Sequence, residues 1–102
     1  PALVRRRPHL PCLALELARD ARRIRVNVVA PGWVDTPGER IVMAAEGHPD
    51  TLDDPETAKW IPLGRRTQPG EIADAVAFLC SPRASAITGQ ILCVDCGIAT
   101  GR

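Results

Sequence analysis

Residues able to do chemistry gather at a few places in this 102-residue chain. The richest is Pro31-Gly32-Trp33-Val34-Asp35-Thr36, which follows the apolar run Ile24 to Ala30. Gly32 permits a backbone path that a side chain would block, and Pro31 brings no N–H to prolong a sheet ladder. A ligand can therefore approach main-chain groups just beyond the strand's carboxyl end, where open α/β sheets bind cofactors. Cys93-Val94-Asp95-Cys96 has the C-x-x-C spacing of metal and redox motifs. Cys93 falls inside a predicted strand, however, so it and Cys96 point to opposite faces. No second C-x-x-C and no His-x-x-x-His completes a zinc site. The four cysteines are expected to be buried free thiols. His48, a potential general base, sits between Gly47 and Pro49 and reads as a solvated turn residue. Asp53, Asp54 and Glu56 surround Pro55, where acidic residues complement the start of a short helix. No metal site is assigned.

The elements that must position the Pro-Gly stretch follow from periodicity. Leu10, Leu13, Ala14, Leu17 and Ala21 recur at helical spacing, with Pro11 in the first turn, which predicts a helix over Leu10 to Ala21. Arg22 and Arg23 suit the negative end of its dipole. In Ile24 to Ala30, period-2 alternation puts Ile24, Val26, Val28 and Ala30 on one side of a strand, so at least one face should be fully buried. Residues Asp35 to Arg66 make a connection far longer than usual, with short helices expected at Gly38 to Glu46 and Pro55 to Trp60. Its apolar members Met43, Trp60, Ile61 and Leu63 either line a pocket or anchor the connection to the core. Ile72, Ala75, Val76 and Leu79 define a helix over Glu71 to Cys80, capped by Thr67 or Gln68 and ended by Ser81-Pro82. A loop over Arg83 to Ala86, a turn at Thr88-Gly89 and a strand over Gln90 to Asp95 follow. Strand, crossover helix and strand make a parallel βαβ unit. The other edge of Ile24 to Ala30 stays open, an aggregation template that predicts marginal stability.

Two stretches carry a family resemblance. Ile24-Arg25-Val26-Asn27 leading to Pro31-Gly32, Val34 and Thr36 resembles the short-chain dehydrogenase/reductase segment that runs to the nicotinamide half of NAD(P). Ile87-Thr88-Gly89-Gln90 and Val94-Asp95-Cys96-Gly97 resemble that family's last strand, with Cys96 standing where glycine is usual. The match covers Leu13 to Gly97. It implies the carboxyl-terminal portion of a doubly wound, Rossmann-like α/β sheet, in the order helix, strand, long loop, helix, strand. It also implies NAD or NADP as cofactor, held by Pro31, Gly32, Trp33, Val34 and Thr36, with Val34 and the Thr36 hydroxyl contacting the carboxamide. Replacing Thr36 by valine is then expected to keep the loop's shape and remove that hydroxyl. The resemblance further makes 35–66 the substrate-closing region, small alcohols or carbonyls the substrates, and the Leu10 to Ala21 helix a surface for a homo-oligomer.

Composition bounds the rest. Hydrophobic content of 45% and charged content of 25% describe a globular domain, expected to be one partial domain over 1–102. A net charge of +1 gives no general pull toward nucleic acid or membranes, and Arg5-Arg6-Arg7 reads as a solvated basic run. No apolar run of about 18 residues and no charged-then-apolar leader occurs, so the cytoplasm is the default. The chain has no tyrosine and no glycine-rich phosphate loop. In the family a Tyr-x-x-x-Lys pair precedes the first helix, which places the lysine near Leu3 and the tyrosine before residue 1. No residue of this chain is assigned a catalytic role. Two classes remain: a segment of an oxidoreductase whose cofactor half lies upstream, or a non-catalytic module that assembles with a full-length relative.

Overall fold

The computed structural model describes residues 9–47 and 59–101. Its elements are helix α1 (His9–Arg19), strand β1 (Val28–Pro31), helix α2 (Pro37–Ala45), helix α3 (Pro69–Cys80) and strand β2 (Ile91–Val94), with single 3₁₀ turns at Pro82–Ala84 and Ile98–Gly101. The strands pair in parallel, Val28 opposite Ile91 through Pro31 opposite Val94, and α3 crosses between them. The expected α/β unit is thus present in the expected order. The Pro55 to Trp60 helix, His48 and the Asp53, Asp54 and Glu56 cluster fall wholly or mainly outside the described residues.

α1 ends two residues before Ala21. Arg23 takes a left-handed φ of 54° and Arg22 donates to Asp20 Oδ1, which turns the chain. Arg23 Nη1 donates to the Ala18 carbonyl at 3.3 Å, the dipole complement expected of this basic pair. The helix docks through Ala14, which is buried and faces Gly89, whose φ is +73°. A β-carbon at Gly89 would lie 3.4 Å from that of Ala14.

β1 is shorter at its start than the apolar run because polar side chains occupy the first rungs. Val26 N–H donates to the Thr88 hydroxyl at 3.0 Å, and Asn27 bridges both ways, donating to the Ile87 carbonyl and accepting from Gln90 N–H. The regular ladder begins where Val28 N–H donates to Gln90 O. At the other end β1 continues through Pro31 rather than stopping there. Val28 and Gly32 both donate toward β2, so by the period of two the Pro31 position faces the opposite edge, where its missing N–H costs no ladder bond. Among the described residues that edge pairs with no strand.

The expected fully buried strand face is not found. Val28 and Leu92 are 41% and 40% exposed, and α3 contributes no buried residue. Apart from Ala14 and Ala84, burial among the described residues lies in the connection and just after it: Met43 and Ile61 are buried, as are Asp35, Arg66 and Thr67. Met43 and Ile61 therefore anchor the connection, while Trp60 and Leu63 are exposed. The cysteines are free as expected but not buried, since Cys12, Cys80 and Cys93 are exposed and Cys96 half-buried.

Candidate functional site

The Pro-Gly stretch begins where β1 ends. Gly32 N–H donates to Val94 O at 3.2 Å, and a β-carbon on Gly32 would sit 2.5 Å from Cβ and 2.8 Å from Cα of Asp95. The glycine is thus required by the close approach of the chain after β2. Asp95 is itself fixed there, since its carboxylate accepts from Gly97 N–H at 2.9 Å and Ala99 N–H at 3.0 Å. Between them Cys96 takes a φ of 55°, so the turn keeps the backbone shape that suits glycine although a side chain is present. Its Sγ lies 3.6 Å from the Thr67 hydroxyl.

Beyond Gly32 the loop is laced to a second segment. Val34 forms a parallel bridge with Thr67, in which Thr67 N–H donates to Trp33 O at 2.9 Å and Asp35 N–H to Thr67 O at 2.8 Å. In a parallel bridge of this kind the flanking peptides make both bonds, so the N–H and C=O of Val34 itself point to the opposite side. Thr36 caps α2: its Oγ1 accepts from Glu39 N–H at 3.1 Å, with Pro37 in the first turn. A hydroxyl that accepts one bond still has its hydrogen to donate. Valine at this position would therefore remove a helix cap along with the hydroxyl, which corrects the expectation that the loop's shape is kept. Trp33 is held by its Nε1–H, 2.7 Å from Glu39 Oε1.

A group of side chains not singled out in the sequence supports this loop. Asp35, with a side chain 1% exposed, receives Arg40 Nε at 2.9 Å and Nη2 at 2.7 Å, and Arg66 Nη1 lies 3.5 Å from its Oδ1. Arg66 is fully buried, reaches Met43 Sδ at 2.9 Å and stands 5.7 Å from the centre of the Trp33 ring. The hydrogen bonds from Arg40 hold the Asp35 carboxyl below the usual carboxylate range; burial opposes them and the charge of Arg66 adds to them. Nearby, Arg65 binds Glu71 in a fork at 2.6 and 2.8 Å while Gln68 N–H donates to the same carboxylate. These bonds, the Arg65 ones foremost, bring Glu71 down to about 2. Neither Arg65 nor Arg66 is singled out by the sequence. The available signal was Asp35, the one acidic residue inside the loop, with Arg40 five positions on.

The structure thus places Pro31, the last residue of β1, and Gly32, Trp33, Val34 and Thr36 after it in one continuous stretch at the carboxyl ends of both strands. A separate open groove of about 500 Å³ between β1 and α3, lined by Arg25, Asn27, Val29, Val76 and Leu79 among others, includes none of them. No helix among the described residues is long and apolar enough to cross a membrane.

Comparison with known proteins agrees with this architecture. A family model described as Enoyl-(Acyl carrier protein) reductase matches residues 10–99. The uncharacterized oxidoreductase YmfI of Bacillus subtilis is 52% identical over 85 residues, which is 83% of this chain and 31% of YmfI. The crystal structure of a short chain dehydrogenase family protein from Francisella tularensis superimposes with a TM-score of 0.73 at 35% identity, covering 90% of this chain and 39% of that one. The actinorhodin polyketide ketoreductase solved with NADPH gives a TM-score of 0.71 at 38% identity, covering 88% of this chain and 35% of its own. The chain spans less than a third of the curated relatives it matches, from 25% of a tropinone reductase homolog of Arabidopsis thaliana to 32% of the 3-oxoacyl-[acyl-carrier-protein] reductase FabG of Chlamydia muridarum. With its parallel βαβ unit and both sequence motifs in place, the chain belongs to the short-chain dehydrogenase/reductase family.

Proposed function

We propose that this chain forms the nicotinamide-facing part of an NAD(P)-dependent oxidoreductase acting between an alcohol and a carbonyl compound. The observation that carries the reading is the orientation of the Val34 peptide. A primary carboxamide offers one acceptor and two donors, and it fits a site with one N–H, one C=O and a hydroxyl. Val34 has its peptide groups turned away from Thr67, so its N–H can meet the carboxamide oxygen and its C=O one amide N–H, and Thr36 Oγ1, which accepts once from Glu39 N–H, has a lone pair left for the other. Pro31, Gly32 and Trp33 shape the approach to this pair. When bound, the nicotinamide supplies or accepts the hydride. The chain's own part is to bind and orient: Val34 and Thr36 fix which face of the ring is presented, and on this reading the 35–66 connection is the segment that covers the substrate.

No proton donor for the developing alkoxide is assigned within the chain, because it contains no tyrosine. The half-exposed Leu13 and Leu15 of α1, at 47% and 51%, support its use as a contact surface between copies in a homo-oligomer. The test is to follow reduction of a panel of small ketones and aldehydes by the whole gene product at 340 nm with NADH and with NADPH. Turnover with either cofactor supports the reading. A folded gene product that binds neither and turns over none would favour the non-catalytic module instead.

A further inference from the structure

Asp35 lies between the two residues assigned to the carboxamide, yet its own side chain turns into the protein and is 1% exposed. Its carboxylate ties two other pieces of chain to the loop. Arg40, on α2, binds both oxygens at 2.9 and 2.7 Å; α2 is the helix whose first turn Thr36 caps. Arg66 Nη1 lies 3.5 Å from Oδ1, and Arg66 adjoins Thr67, the bridge partner of Val34. The Asp35 N–H meanwhile bonds Thr67 O. A rotation of the backbone at Val34 or Thr36 would therefore pull a carboxylate out of a forked pair and away from a fully buried guanidinium. Charge-assisted forks are the stronger and more directional hydrogen bonds, and the Asp35 end of this one is shielded from water.

We propose that Asp35, through Arg40 and Arg66, is a positioning residue that sets the orientation of the Val34 peptide and Thr36 hydroxyl, and so the protein's discrimination for the cofactor's carboxamide. The inference rests on the reading of this loop as the carboxamide site. Arg66 is central to it because it is the buried cation: Arg40 has a side chain 47% exposed, whereas Arg66 has 0%.

The experiment compares NAD+ and NADP+ with their 3-acetylpyridine analogues, which keep the carbonyl and lack the amide N–H donors, by calorimetric titration of the whole gene product. The wild type is expected to prefer the carboxamide form by roughly tenfold, about one hydrogen bond's worth of discrimination. Asp35→Asn is expected to cut that preference to about twofold while weakening the acetylpyridine analogue far less. A role confined to stability would lower both affinities together and leave their ratio alone. Should Asp35→Asn fail to fold, Asp35→Asn/Arg66→Met removes both charges. Arg40→Met, at a half-exposed side chain, then supplies a milder variant with an intermediate ratio. An unchanged ratio in the folded variants overturns the positioning role while leaving the carboxamide site standing. A wild type that binds carboxamide and acetylpyridine forms equally sinks the carboxamide site itself.

Discussion

Gly32→Ala is the sharpest mechanical test of the loop. The added carbon would sit 2.5 Å from Asp95 Cβ and 2.8 Å from its Cα, where neither partner can yield easily. Gly32 is tied to Val94 O, and Asp95 is held by two backbone N–H groups after it. Relief requires the ends of β1 and β2 to separate. Overpacking of this kind costs about 1 to 3 kcal/mol, and loss of the Gly32 ladder bond adds about 1 kcal/mol, so a destabilisation of roughly 2 to 4 kcal/mol is expected. Against the about 5 to 15 kcal/mol typical of a whole domain, that is a large fraction. The assay is urea unfolding followed by circular dichroism, with Gly70→Ala as control. Gly70 lies in the first turn of α3 with nothing within 4 Å of an added carbon, so alanine there should be neutral or stabilising by up to about 1 kcal/mol. If Gly32→Ala unfolds at the wild-type midpoint, the close approach of the two strand ends is wrong and the loop is not held as described.

Acid should destabilise the protein in a definite window. Asp35 and Glu71 both have lowered folded-state pKa values, so their contributions are complete above the ordinary carboxylate range and disappear as pH falls through the folded values. For Glu71 the loss runs from about 4.5 down to about 2, and Glu71→Gln should flatten that part of a melting-temperature profile. Thr36→Val should lose the α2 cap and about 1 kcal/mol of stability with no cofactor present, whereas Thr36→Ser should keep it; equal melting of the two would show the cap is not formed. Cys12, Cys80 and Cys93 should react quickly with a thiol reagent in the isolated native chain and Cys96 more slowly, so four equally protected thiols would contradict their exposure.

What could be read from the sequence divides along physical lines. Helix α3 and the two strands were legible because local periodicity and punctuation set them: Ile72, Ala75, Val76 and Leu79 on one stripe, Gln68 and Ser81-Pro82 at the ends. The start of β1 was not, because Arg25 and Asn27 spend their side chains on the chain before β2, some 60 residues away, in place of backbone rungs. Burial was misjudged for the same kind of reason. A period-2 pattern says which residues share a face but not what covers it, and Val28 and Leu92 remain uncovered in this chain. The candidate loop was found through Pro31-Gly32 and the family motif. Its support was missed because nothing local to Arg66 signals burial: its partner is an acid 31 positions earlier. Thr36 was recognised as a possible ligand group, but its capping role required knowing that α2 begins at Pro37.

The account's central claim is that the loop 31–36 is where the nicotinamide end of the cofactor is held. The direct measurement is a titration of the isotope-labelled chain with NADH and NADPH, following backbone amide shifts by nuclear magnetic resonance. With only the carboxamide grip available, binding cannot offset the several kcal/mol of association entropy, so the dissociation constant should lie above about 1 mM. The shifts that do move should be those of Gly32 through Thr36 and their bridge partner Thr67. Saturation in the micromolar range, or shifts centred on the groove at Arg25, Asn27 and Leu79, would place the cofactor elsewhere and contradict the claim.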